Sequence, residues 1–161
     1  MSRIKHKQKA SYAGIPRVVM ECPDYTYLGG NAIRLLIEMA YQFKGRNNGD
    51  LCPAWTLMQK RGFSSKETLS NALAELVAAE MLVLTRQGTF RKNSPSLYAV
   101  TWLPIDEFPD KNMELASTIS PMRKFSVEKQ QGWPRILSPP VRKSNRKGTK
   151  TAPKVILKAV N

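Results

Sequence analysis

Apolar positions follow helical spacing through the first part of the chain and then change to the alternation of strands. Over residues 31–43 (NAIRLLIEMAYQF), Ile33, Leu36, Ile37 and Ala40 recur at the helical period and predict a helix with one apolar face. Gly45 supplies its stop. The run RNNGDL that follows, Arg46–Leu51, is turn chemistry in which Asn48-Gly49 tolerates positive φ. A second, short helix fits Pro53–Arg61, because Pro53 suits a first helical turn and Gly62 suits the exit. Before the third helix, Ser64-Ser65-Lys66-Glu67 reads as a capping box, with Ser64 as N-cap and Glu67 reaching back. Leu69, Ala72, Leu73, Leu76 and Val77 then form its apolar stripe, which leaves Thr68, Ser70, Asn71 and Glu75 toward solvent or a partner.

Beyond this helix the period changes. Met81–Thr85 is rich in strand formers, and RQGTFRKNSPS is a loop punctuated by Gly88, Asn93 and Pro95. Ser96–Leu103 sets Leu97, Ala99, Thr101 and Leu103 against Tyr98, Val100 and Trp102, as a strand does. The order helix, turn, helix, helix, hairpin predicts an α+β fold, a winged helix-turn-helix of three helices plus a β-hairpin wing. The expected organisation is a basic N-terminal arm over 1–16, this domain over 17–104, a connector over 105–130 and a basic, proline-containing tail over 131–161. Both extensions are expected to be largely disordered.

Charge narrows the class of partner. Twenty-six basic against twelve acidic residues give a net charge of +14, which attracts phosphate polyanions and equally acidic membranes, ribosomal RNA or acidic protein surfaces. Residues 131–161 hold eight basic residues and no acid, with Pro134, Pro139, Pro140 and Pro153 among them. Such a stretch buries too little apolar surface to offset the entropy of ordering it. It reads as a tail contacting nucleic acid non-specifically through Arg142, Lys143, Arg146, Lys147 and Lys150. The rival readings are a merely solvating extension, or protein docking through Trp133 or the cluster Val155–Leu157. No apolar run approaches the ~18 residues that span a membrane. No hydrophobic stretch follows the basic N-terminus, so no secretory signal is expected and the protein is placed in the cytoplasm.

Little in the chain suits catalysis or metal binding. Cys22 and Cys52 lie far apart, and His6 is the only histidine, so no zinc site is expected and no cofactor is implied. Both cysteines read as small buried hydrophobes without a disulfide. There is no Ser/His/Asp or Cys/His set and no phosphate-binding glycine motif. Gly29-Gly30 reads as a loop-to-helix passage, and Asp106/Glu107 as a solvated turn after the last strand. An enzyme is not expected. In a winged helix the third helix enters the major groove, which nominates Ser65, Lys66, Thr68 and Asn71. Asparagine suits adenine, lysine suits guanine, and hydroxyls suit several bases. Arg86, Gln87, Arg91 and Lys92 form a wing able to touch phosphate or the minor groove. Glu67, Glu75 and Glu80 oppose a single Lys66 on the third helix, which leaves open a protein-docking or purely structural role.

The run GRNNGDLCPAWTLMQKRGFSSKETLSNALAEL, then LTRQG, then SLYAVTWLPIDE, resembles the helix-turn-helix proteins carried by bacterial phages, plasmids and integrative elements. Many of these are labelled replication-initiation or replication-like. The resemblance runs from about Ile15 to Glu107 and includes IPRVVMECPDY. It implies a winged-helix fold and a bacterial mobile-element origin, and hence a replication-initiation-like or regulatory protein whose partner is duplex DNA. The chain departs from the pattern where Met81 follows Glu80, a point at which a glycine is common, and beyond Asp110 it matches no motif. The rival expectation is a non-catalytic interaction protein that blocks a host defence or replication complex, in the manner of an anti-CRISPR inhibitor. Its partner would be a host or element-encoded protein. Structured RNA is a third possible partner, supported only by charge and tail.

Overall fold

The computed structural model describes residues 12–89 and 94–125. They form an α+β unit of five α-helices and a two-stranded antiparallel hairpin. The elements are α1 (Arg17–Met20), α2 (Pro23–Thr26), α3 (Gly30–Gln42), α4 (Trp55–Met58), α5 (Lys66–Ala78), β1 (Leu82–Arg86) and β2 (Leu97–Val100). A 3₁₀ turn, Gln59–Arg61, extends α4, so the short helix expected over Pro53–Arg61 begins two residues late. Gly62 closes it at φ +90°, the left-handed conformation its exit role requires. The single-turn helices α1 and α2 come in addition to the three expected. Each is too short to show a period in sequence.

α3 packs on α5, and α5 leads into the hairpin. The buried face of α3 is Ala32, Leu35, Leu36, Met39 and Ala40. The periodicity predicts Ile37 in the core, but it is 50% exposed, and Ile33 is only partly buried. Two apolar stripes compete on this helix, and contact with Leu69, Ala72 and Leu76 of α5 selects the one that turns inward. On α5 the stripe holds except at Val77, which is exposed.

The register of the hairpin pairs Leu82 with Val100, Val83 with Ala99 and Leu84 with Tyr98, then slips so that Arg86 faces Leu97. The extra residue, Thr85, is fully buried, and its Oγ1 donates to the Gly49 carbonyl at 2.6 Å. A bulge of this kind re-aims one side chain, here into the 46–51 loop. Leu51 in that loop pairs with Tyr98 through reciprocal backbone hydrogen bonds, so β2 lies between β1 and Leu51.

Asn48 ties this arrangement together. It is fully buried, and its Oδ1 accepts from the Val100 N–H at 2.8 Å. Its Nδ2 donates to the carbonyls of Val100 (3.0 Å), Leu103 (3.2 Å) and Pro104 (2.8 Å). Its own N–H donates to Asp106 Oδ2 at 2.8 Å, so Asp106 is a structural acceptor and not part of a solvated turn. Only Gly49 of the expected Asn-Gly turn takes positive φ, at +118°. Two more amides brace the loop. Asn47 caps the end of α3 at the Gln42 carbonyl, and Gln42 bonds both the N–H and the carbonyl of Cys52.

Residues 105–125 have no regular structure, yet they pack on this unit. Ile105 is buried, Glu114 and Leu115 donate backbone N–H groups to the Thr85 carbonyl, and Arg123 pairs with buried Asp24 and with the Ala79 carbonyl. The tail over 131–161 and the arm up to residue 11 lie outside the described residues. Within the described residues no helix is long and apolar enough to cross a membrane.

α5 ends in a Schellman motif, with Met81 N–H on the Leu76 carbonyl and Glu80 N–H on Val77. Glu80 therefore holds φ +52°, where a glycine costs nothing. Two predictions follow for denaturant unfolding. Glu80→Gly raises stability by about 1 kcal/mol. Asn48→Ala strands the Val100 N–H and the carbonyls it served, and lowers stability by about 3 kcal/mol or more with an unchanged m-value.

Candidate nucleic-acid interface

The tip of α5 is set by a cap one residue later than the sequence suggests. Ser65 is extended, at φ −145° and ψ 150°, and its Oγ accepts from the Thr68 N–H at 3.0 Å. The Thr68 hydroxyl lies 2.8 Å from the same Oγ, and the Leu69 N–H bonds the Ser65 carbonyl. Ser64 is therefore exposed and outside the helix, and Glu67 stands at the second helical position, too early to close a capping box. The two neighbouring serines compete for one cap. A threonine three residues after Ser65 decides the outcome by answering hydroxyl to hydroxyl.

This placement sorts the four nominated side chains. The hydroxyls of Ser65 and Thr68 are committed to each other. Lys66 and Asn71 are exposed, and neither has a hydrogen-bond or ion-pair partner among the described residues. Asn71, Thr68 and Glu75 lie along one side of α5 and, with Gly29 to Asn31, line a shallow cleft of about 210 Å³. Of the two outcomes the stripe allows for Glu75, solvent or a partner, the structure shows a partner. Glu75 Oε1 accepts from the Gly29 N–H at 2.6 Å, a side-chain cap on the start of α3 supplied across 46 residues. Gly29 suits the contact, since a Cβ there would meet Glu75 Oε2 at 3.3 Å. The hint in sequence was the glycine pair opening a helix that lacks a local cap.

At the base of the hairpin, Arg86 is half-buried. Its Nη2 donates to the Pro95 carbonyl at 3.3 Å, and its Nε is buried with no partner. Gln87 is exposed, and its N–H donates to Glu114 Oε1 at 3.0 Å. Thr89 and Ser94 close the hairpin through paired backbone bonds. Gly88 passes so near that a Cβ would lie 2.5 Å from the Ser96 nitrogen. Arg91 and Lys92, and the tail residues Arg142, Lys143, Arg146, Lys147 and Lys150, lie outside the described residues.

Charge is segregated. The described residues carry eleven Lys and Arg against eleven Asp and Glu; the other fifteen basic residues and the one remaining acid, Glu128, lie outside them. Inside the described part, residues 30–67 hold six basic and three acidic side chains, while the rest hold five and eight. Lys66 at the α5 tip thus lies in the more basic stretch of the sequence; among the described residues of the hairpin Arg86 is the one charged side chain, and residues 101–125 hold four acids against three bases.

Neither thiol is set up for chemistry. Cys22 is buried in the core; Cys52 is half-buried, not buried as expected, and desolvation raises its thiol pKa, so it stays protonated at neutral pH. Burial likewise raises the Tyr98 pKa. Among the described residues no group of three or more His, Cys, Asp or Glu side chains is placed to hold a metal ion.

No family model, curated protein or solved structure matches this chain.

The cap makes a direct prediction. Ser65→Ala lowers stability by about 1 kcal/mol, whereas Ser64→Ala stays within about 0.5 kcal/mol of the parent, as read from urea midpoints.

Proposed function

We propose that this chain is a winged helix-turn-helix protein that binds duplex DNA, with α5 as the groove-reading helix and the hairpin as the wing. The observation that supports it most is the pair Lys66 and Asn71, exposed and without a hydrogen-bond or ion-pair partner among the described residues, Lys66 in the opening turn of α5 and Asn71 in its first half. In recognition helices it is the N-terminal residues that meet base edges. The architecture is compatible: α3, α4 and α5 are followed by a hairpin, and Leu51 supplies a strand position between the first two of these helices, as winged helices have. Asn71 would read adenine and Lys66 guanine. Ser65 and Thr68 act mainly by holding the helix tip, and Arg86 by bracing the hairpin. Arg91 and Lys92 would contact phosphate, and so would the tail.

The segregation of charge divides this function in two. The described residues carry eleven basic and eleven acidic side chains, so little long-range attraction for DNA is assigned to them and site preference is assigned to α5. The remaining fifteen basic residues, Arg91 and Lys92 of the hairpin loop among them, would supply affinity that is independent of sequence and sensitive to salt. In cellular terms the protein would be a replication-initiation-like or regulatory factor of a mobile element, a reading that rests on its resemblance to such proteins.

Fluorescence anisotropy of the full chain with random duplex, single-stranded DNA and structured RNA tests the reading. Duplex affinity falls by ~10³–10⁵ between about 50 and 200 mM salt if roughly six to ten phosphates are neutralised. On a selected site, Asn71→Ala costs about 1–3 kcal/mol and more than it costs on random duplex, while Arg91→Ala with Lys92→Ala weakens all duplexes alike. Equal, small losses on every duplex would falsify groove reading by α5.

A further inference from the structure

α3 is apolar on two sides, and only one of them is covered. Its outer side exposes Ile37 (50%) and, one turn on, Tyr41 (60%). Leu57 of α4 is 46% exposed and stands one turn before Arg61. A helix that is apolar beyond its core-facing stripe normally has a neighbour on the second side as well.

The cations beside these residues are held in place. Arg61 Nε bonds Glu38 Oε2 at 2.6 Å, and its guanidinium lies 4.7 Å from the centre of the Tyr41 ring. The Glu38 carboxylate raises the Arg61 pKa further, so this charge is permanent. Arg34 donates to the Arg61 carbonyl at 2.8 Å and lies 5.6 Å from the Phe63 ring. Gly62 makes room for it, because a Cβ there would collide with the Arg34 guanidinium. Tyrosine and arginine held in this way are the residue types that anchor protein interfaces, and little side-chain entropy is left to lose.

The local charge balance selects the partner. The acid of this face is Glu38, whose side chain is 12% exposed and already engaged by Arg61. Arg34 and Lys60 have no carboxylate partner among the described residues. The face is therefore an apolar centre with a positive rim. A second copy would bring like charges together, and a nucleic-acid backbone has nothing to bury Ile37 and Leu57. We propose that this α3–α4 face docks an acidic amphipathic segment of a partner protein. Ile37, Tyr41 and Leu57 take its apolar side chains, and Arg34, Lys60 and Arg61 take its carboxylates. The proposal uses none of the side chains assigned to DNA reading, so the inference does not depend on DNA binding.

The test is nitrogen-15 NMR of the full chain, titrated with a synthetic helical peptide of about four turns. The peptide carries leucines four residues apart with glutamates between them. Amide shifts confined to the stretches around Arg34–Tyr41 and Leu57–Phe63 are expected, with a scrambled peptide of equal charge binding at least about tenfold more weakly. Ile37→Ser with Leu57→Ser abolishes the shifts while leaving circular dichroism and the melting temperature near the parent, because both side chains are exposed. Equal shifts with the scrambled peptide, or none, overturn the proposal. So does a short duplex DNA that displaces the peptide from these amides, or a concentration-dependent dimer that the same double substitution dissolves.

Discussion

The side chain of Asn48 is the point on which the described fold turns. A two-stranded hairpin is only marginally stable alone, and here it must be joined to helices that precede it by a long stretch of chain. A fully buried carboxamide does this by meeting both the N–H and the carbonyl of Val100 and then the carbonyls of Leu103 and Pro104. An asparagine is one of the few side chains with donor and acceptor close enough together for that task. With Asn48 in place, Leu51 falls into register beside Tyr98, and Thr85 is drawn inward to the Gly49 carbonyl. The chain after β2 is turned back across the unit, with Asp106 on the Asn48 N–H. The low dielectric that strengthens these bonds also makes the loss of any partner costly.

Polar side chains repeatedly finish what local structure leaves open. Glu75 caps α3 from a distance, Gln42 mimics a strand neighbour for Cys52, and Arg123 satisfies the Ala79 carbonyl at the end of α5 while pairing with buried Asp24. Each turns a group that would oppose folding into a tie between elements. These commitments also shape the candidate interface, since an acid on α5 that looks repulsive to a polyanion is already held by the α3 terminus. What remains uncommitted among the charged and amide side chains at the α5 tip is Lys66, its neighbour Glu67, and Asn71.

The balanced charge of the described residues and the basic excess of the remaining sequence suit separate physical roles. Long-range attraction scales with net charge and is screened by salt, whereas recognition depends on a few oriented groups at short range. Placing the two on different parts of one chain lets each change without the other. The same economy applies to the two exposed faces, for the α5 tip is polar and the α3–α4 face apolar with a positive rim.

Much of this was legible in sequence where the determinants are local. The helical period of 31–43 and 66–78, the glycine exit at Gly62 and the strand character around the hairpin follow from backbone preferences that act over a few residues. Glu80 stood out only against the resembled pattern, in which a glycine is common at this point, and its positive φ belongs to the turn that ends α5. Periodicity showed that α3 is amphipathic but not which stripe is buried, because Ile37 and Leu36 are equally apolar and only contact with α5 separates them. The tandem Ser64-Ser65 showed that a cap was present, and the Thr68 hydroxyl decided which serine supplies it. Asn48 read as a turn residue, since nothing in RNNGDL reveals that four polar groups some fifty residues away converge on its amide. By itself the sequence determined the three expected helical segments, the hairpin and where the net charge lies. The tertiary structure decided which polar groups are buried and which faces stay open, because those depend on long-range pairs.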